Sequence, residues 1–351
     1  MLTRARTGLR SFRDNGYTIS APAYRKIAYV ALGSLAIIVL SGAAVRLTGS
    51  GLGCPDWPRC YGQAIAPLKV HAIIEYSNRL FSGIVSIAAI AAGVLGWRRR
   101  PFRIELAIFG TLLPIGVVMQ AALGALTVEN HLKPGYVMGH YVLSMMLLDA
   151  AFALAWCSTF ETGQRRKSTD RLGVWAVRAL LPIGALTVFA GTAATAAGPH
   201  AGGAGTGDVI NRLTFKGDDT LGWIVTRHGA IAVVFGLSVL AVLAILLRPG
   251  GDRRAVKPLL VVVGIIGLQG VVGLLQYNNA LPAELVWVHV ALATANWLAM
   301  LWSVGAAGQL VPRGAPEASP PEQRAAAPVT APPAPSAPEP AGAAAPAAPA
   351  P

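Results

Sequence analysis

The apolar positions of this chain are gathered into eight long runs, at about 27–45, 73–97, 104–127, 136–158, 174–196, 221–247, 258–277 and 285–309. Each is close to the ~20 residues an α-helix needs to cross a hydrocarbon core ~30 Å thick. The pattern predicts an all-α polytopic membrane protein with eight transmembrane helices. The first run reads as a span and not as a cleavable signal. It lies behind a 26-residue polar, basic arm and runs into Arg46 without a small-residue cleavage pattern.

The runs repeat. Gln120, Gly124, Val128, Asn130, Leu132, Val137 and His140 recur 149 positions later as Gln269, Gly273, Tyr277, Asn279, Leu281, Val286 and His289. Gly42–Gly49 and Gly191–Gly198 close the first and fifth runs at the same offset, and at an offset of 150 Asn78 falls opposite His228. Helices one to four therefore match helices five to eight. The expected architecture is two pseudo-symmetric four-helix bundles. An even number of spans per repeat leaves both halves in one orientation, with the pseudo-two-fold along the membrane normal, which disfavours an inverted-repeat transporter. The chain divides into a basic arm (1–26), a first bundle (27–159), a linker (160–172), a second bundle (173–310) and a tail (311–351). The tail is almost all Ala, Pro, Glu and Ser, too poor in apolar surface to order itself.

Composition changes the picture only through where the charge lies. A net charge of +13 suggests nucleic acid in a soluble protein, but here it is distributed by loop. The arm and the second–third, fourth–fifth and sixth–seventh connections hold 18 Lys/Arg, and the alternate connections hold six. That is the positive-inside pattern. It predicts a multi-pass protein of the cell membrane with both termini cytoplasmic, in contact with lipids and not with nucleic acid. Loops 46–72, 128–135, 197–220 and 278–284 then face outward.

An ionisable group in a membrane helix is costly and usually faces a site or a partner. His140, His228, His289 and Asn78 all fall in the outer third of the membrane, the first and third on the order of 6–8 Å deep at 1.5 Å per residue. Two imidazoles at one depth, on helices two apart, suit axial ligation of haem iron. His228 and His289 thus predict a bis-histidine haem in the second half, against the alternatives of structural histidines or a bare metal ion. The first half offers His140 but Asn78 opposite, an arrangement that suits a tetrapyrrole being worked on. Glu75, one turn outward from Asn78, is a candidate catalytic carboxylate or the ion-pair partner of Arg79. Arg46, Arg79 and Arg227 either grip carboxylates such as haem propionates or snorkel to the interface. His71 lies at the mouth. His200 reads as a loop residue, and Asp149 as a helix-packing hydrogen bond. Cys54 and Cys60 bracket a short outer-loop segment and form either a disulfide, two free thiols or a metal pair.

These motifs resemble one family, the haem A synthases of bacteria and mitochondria. The similar stretches are Gly42-Ala-Ala-Val-Arg-Leu-Thr-Gly-Ser-Gly-Leu-Gly-Cys-Pro-Asp-Trp-Pro-Arg-Cys60, Ile74-Glu-Tyr-Ser-Asn-Arg-Leu80, Gly124-Ala-Leu-Thr-Val128, Gly139-His140, Arg227-His228 and Val288-His289, within about residues 27–310. The resemblance implies an enzyme that oxidises a ring methyl of haem O to a formyl group, giving haem A for terminal oxidases. It implies a cofactor haem b on His228 and His289, a substrate haem near His140, a catalytic role for Glu75 and a Cys54–Cys60 pair. A haem O synthase and an electron donor are the implied partners. The family pattern usually reads Glu-x-x-His-Arg, and this chain has Asn78 at the histidine. The substrate haem is then expected to have one protein axial ligand, unless His71 substitutes. Many bacterial members carry a second outer cysteine pair, and 197–220 has none. Two other classes compete: a non-catalytic b-type cytochrome relaying electrons from quinol, and a haem transporter or chaperone.

Overall fold

The structure, a computed structural model, describes residues 16–165, 167–203 and 205–311. Most of the expected basic arm, and the tail beyond residue 311, lie outside them. Eight long helices follow: α1 Ala21–Leu47, α2 Val70–Arg98, α3 Ile104–Glu129, α4 Pro134–Ser158, α5 Arg171–Ala197, α6 Thr220–Leu247, α7 Val256–Asn278 and α8 Ala283–Ala307. A single 3-10 turn, Arg253–Ala255, precedes α7. All eight are long and apolar enough to cross a membrane, with window mean hydropathies from 1.5 to 3.0.

Most ends fall within three residues of the hydropathy reading, and the structure gives the cause of two differences. α1 starts six residues before its apolar run, because Pro22 suits a first helical turn and Tyr24 is wholly buried there. The Tyr24 hydroxyl donates to Ala92 O at 2.9 Å, which docks a polar helix start onto α2. α8 stops at Ala307, two residues before its run ends, because Gly308 turns to φ 81°.

The helices of each half pack in the same cyclic order. α1 touches α2, α2 touches α3, α3 touches α4 and α4 returns to α1; α5 to α8 do likewise. The halves meet chiefly along α1–α8, with α4 touching both α5 and α8. Close approach is steric: a Cβ on Gly110 of α3 would meet Ala92 O of α2 at 2.6 Å, so only glycine lets these backbones cross there. Each half has its own apolar core, one around Leu106, Leu113, Leu148 and Leu154, the other around Leu180, Val239, Leu246 and Leu259. Apolar residues such as Val30, Ile87, Val118 and Leu237 stay exposed on the outside, as a lipid-facing surface requires.

The repeat extends to unusual backbone. His131 and Leu132, after α3, have φ of 49° and 55°; Ala280 and Leu281, 149 positions on, have 58° and 60°. Left-handed conformation costs a side-chain-bearing residue about 1–2 kcal/mol. The repeated hydrogen bonds of this turn offset it. Leu132 N donates to Thr127 O at 2.9 Å, and Leu281 N to Gln276 O at 2.7 Å.

The arginine-rich end is stapled by carboxylates. Asp170 caps α5, accepting from Gly173 N at 2.8 Å and Asp252 N at 3.0 Å, and pairs with Arg248 at 2.5 Å. Burial alone would raise its carboxyl, but the two amides and the guanidinium outweigh it and hold it below the usual range. A folded-state pKa below the unfolded one stabilises above the unfolded value, and that stability is lost as pH falls through the folded value. Asp170→Ala should lower stability by about 2 kcal/mol at pH 7. In paired denaturation curves in detergent, the gap from wild type should narrow as pH drops below about 4. A gap that is constant with pH would show that the carboxylate charge contributes nothing.

Candidate functional site

Three imidazoles and one amide sit inside the two helix rings at similar depth. His140 and His289 each lie six residues into α4 and α8, and Asn78 and His228 each lie eight residues into α2 and α6. At 1.5 Å per residue these are about 9–12 Å from the helix starts. In both rings the helices bearing them, α2 with α4 and α6 with α8, stand diagonally across from each other. Their side chains can therefore meet in a bundle interior.

Glycine on the neighbouring helix makes the room. A Cβ on Gly191 of α5 would lie 3.2 Å from the His228 ring, and one on Gly273 of α7 3.3 Å from the His289 ring. Gly124 of α3 stands in the same relation to His140, at 3.5 Å. At the fourth equivalent place, Gly42 of α1, a Cβ would meet nothing within 4 Å. The space a ring fills elsewhere is open here, because Asn78 is shorter and its Oδ1 accepts from Ser41 Oγ at 2.7 Å.

The second half holds a facing pair. The His228 and His289 ring centroids are 6.3 Å apart with planes at 70°. That gap fits one metal ion between two imidazoles, with bonds of about 2 Å each. The Nδ1 atoms of His289 and of His140 are buried without a hydrogen-bond partner, and the His228 ring faces the Thr187 backbone. Among the described residues no three His, Cys, Asp or Glu converge as a metal cluster. Two facing imidazoles in an apolar bundle are the donor set of an axially ligated macrocycle, and the residues fit a haem.

His140 is held from behind. Gln120 Nε2 donates to the His140 carbonyl at 3.1 Å and to Ser144 Oγ at 2.7 Å, and Ser144 Oγ donates to the same carbonyl at 2.9 Å. Gln120 bridges two helices, as its place in the repeat suggests, whereas Ser144 was not anticipated from sequence. Gln120 belongs to the repeat, but Ser144 has Ala293 as its counterpart, so no repeated signal marks it.

The loop between α1 and α2 is anchored by Glu75 and Arg79. Glu75, 6% exposed, accepts from Cys54 N at 2.7 Å and pairs with Arg79 at 2.6 Å. Arg79 also donates to Asp56 O and Arg59 O, both at 2.9 Å, and to Cys54 O at 3.3 Å. Its whole fork is thus spent on the loop and on Glu75. A disulfide joins Cys54 to Cys60 within that loop. The amides of Gly62 and Tyr61 hold the exposed Asp56 carboxyl below its ordinary range. Gly53 is obligatory here, since a Cβ would lie 2.1 Å from His71 O.

Apart from Arg227, the remaining candidates serve the seam between halves. Arg46 donates to His200 O at 3.0 Å and Thr195 O at 3.1 Å, both in the second half. His200 Nε2 contacts Leu281 O at 2.7 Å. His71 Nδ1 contacts Ser50 Oγ at 2.8 Å, and its ring fills the place of a Cβ on Gly205, so this histidine is engaged by loops. Arg227 is exposed and lies over the Trp223 ring at 3.8 Å, as an interfacial side chain does. Asp149 accepts from Trp297 Nε1 at 2.6 Å, the helix-packing bond expected of it.

A family model described as cytochrome oxidase assembly protein, COX15-CtaA, matches residues 25–301. A protoheme IX farnesyltransferase of Thermus thermophilus is 30% identical over 298 residues, 80% of this chain and 48% of that protein. Heme A synthases of Bacillus pumilus and Alkalihalophilus pseudofirmus are 31% and 34% identical over 135 and 138 residues. Those matches cover 38% and 39% of this chain and 44% and 46% of theirs. The chain spans a little under half the length of these curated relatives.

The anchoring contacts make a prediction. Glu75→Ala should release the loop, giving new cleavage between residues 55 and 68 in limited proteolysis, while Glu75→Gln, which keeps an acceptor for Cys54 N, should resist. Equal resistance of both variants would mean that Glu75 does not hold the loop.

Proposed function

Since the chain belongs to the COX15-CtaA family of cytochrome oxidase assembly proteins, we propose that it oxidises the ring methyl of haem O to a formyl group, giving haem A. The observation that carries the reading is the asymmetry of the two rings. One half has two facing imidazoles, and the other has a single imidazole opposite an amide beside open space. Two relay haems would call for four axial histidines, and the helices supply three at this level. That favours the enzyme over an electron-relay cytochrome.

His228 and His289 would hold a resident haem b, with Gly191 and Gly273 seating their rings. Bound there, a bis-histidine haem supplies one-electron transfer to the neighbouring half. His140, braced by Gln120 and Ser144, holds the iron of the substrate haem. Asn78 is turned towards Ser41 and leaves the opposite axial face of that substrate without a protein ligand. Glu75 is pinned by Arg79 and Cys54 N one turn outward. From there it stabilises positive charge developing at the reacting carbon or accepts its proton. Two successive hydroxylations, each taking one oxygen atom from dioxygen with two electrons from an external donor and two protons and releasing one water, give a diol that loses water to the aldehyde. The positive-inside pattern supports cytoplasmic termini and sites that open towards the outer face.

The relative named protoheme IX farnesyltransferase supports a partner. Its matched 298 residues are only 48% of it, so a second segment of similar size accompanies the part that resembles this chain. We propose that this chain works beside a haem O synthase in the same membrane.

The test is haem extraction and mass analysis from cells supplied with haem O. Wild type should yield haem A or its hydroxylated precursor, and Glu75→Gln should yield at least ~100-fold less. Purified His228→Ala and His289→Ala should lose the bis-histidine spectrum, and His140→Ala should keep it. Asn78→His should add a second low-spin signal when haem O is supplied. Unchanged haem O from a wild type with an intact bis-histidine spectrum would overturn the enzyme reading and leave a cytochrome.

A further inference from the structure

The arginine-rich end of the bundle, opposite the histidines, contains a cavity of about 500 Å³ between the halves. It lies where α4, α5 and α8 meet the 3-10 turn. Its walls are aromatic: Phe152, Trp156 and Phe160 follow one another, with centroid spacings of 6.0 and 5.4 Å. Trp156 is fixed in place, since a Cβ on Gly305 of α8 would meet its ring at 2.6 Å. At the far end Asp149 is occupied by Trp297. It sits nine residues before the end of α4, about 14 Å in at 1.5 Å per residue.

Three guanidinium groups line the cavity: Arg165, Arg178 and Arg254. Arg178 starts two turns inside α5 yet reaches back to donate to Gly308 O at 3.2 Å, just past the end of α8. Arg254 is paired with Asp252 and donates to Lys167 O at 3.0 Å. Arg165 lies within electrostatic reach of Glu105, whose carboxylate is already paired with Arg103, and makes no ion pair of its own among the described residues. The set is richer in cation than in carboxylate. Guanidinium forks match phosphate oxygens in geometry, and basic pockets between membrane helices at this face suit anionic head groups.

We propose that this cavity binds the phosphate group of an anionic phospholipid, with the three arginines on the phosphate and the glycerol end against the aromatic wall. The shared chemistry is a phosphate oxyanion. The lipid is favoured as its source because the cavity is walled by apolar and aromatic residues of membrane helices. Bound at the seam, the lipid would tie α4 and α5 to α8. The site stands on residues distinct from those of the proposed oxidation.

Native mass spectrometry of the detergent-solubilised full chain tests this, with phosphatidylglycerol, phosphatidylcholine and inorganic phosphate added separately. Wild type should retain one phosphatidylglycerol that it does not retain as phosphatidylcholine. Arg165→Gln with Arg178→Gln should weaken that retention about tenfold. Arg165→Gln alone, which breaks no ion pair, should weaken it in the same direction and guards against misfolding of the double variant. Arg171→Gln, an exposed arginine at the same end but outside the cavity, should leave it unchanged. Equal retention of both lipids, indifference to the cavity substitutions, an equal loss in Arg171→Gln, or displacement of the lipid by millimolar inorganic phosphate would each overturn the assignment.

Discussion

A histidine in a lipid-embedded helix must find somewhere to put its ring, and in this protein glycine on the adjacent helix provides the place. Gly124, Gly191 and Gly273 each leave room for one imidazole. A methyl group at Gly191 or Gly273 would press on a ring and shift it, and one at Gly124 would just touch the His140 ring. The seating of the three rings depends on that fit of ring against missing side chain, and where Asn78 replaces a ring the place beside Gly42 is open. The polar residues behind it, such as Gln120 and Ser144, fix the backbone that carries the ring.

Much of this was legible in the chain itself. Spans of continuous apolar residues have no other stable home, so all eight helices could be read to within a few residues. The exceptions are instructive. α1 begins in a polar stretch that only its burial against α2 explains. α8 ends at Gly308, whose left-handed backbone hydropathy does not register. The repeat also extends beyond what was read from it, since His131–Leu132 and Ala280–Leu281 share a conformation that no propensity would suggest.

The site was less legible, for a physical reason. Sequence spacing gives the depth and face of a residue on its own helix, but not what lies across the gap. The pairing of His228 with His289 followed from depth alone. The uses of Arg46 and Arg79 did not, because both donate to backbone carbonyls, which carry no sequence mark. Glu75 likewise combines a place near the proposed chemistry with a role in holding a loop, and its alternative reading as the partner of Arg79 is realised in the same contacts.

The loops at the histidine end tie the two halves of the repeat together. Gly51 N donates to Gly202 O at 2.7 Å, Gly205 N donates to Gly49 O at 3.2 Å, and Arg46 crosses from the first half to the second. Each half therefore uses backbone of the other to complete its own roof. Separating them would strand amides and a guanidinium, at a cost of about 1–3 kcal/mol for each group left buried and unpaired. The repeat is thereby one structural unit: each half completes its roof with the other, and the difference between Asn78 and its counterpart His228 sits within that shared scaffold.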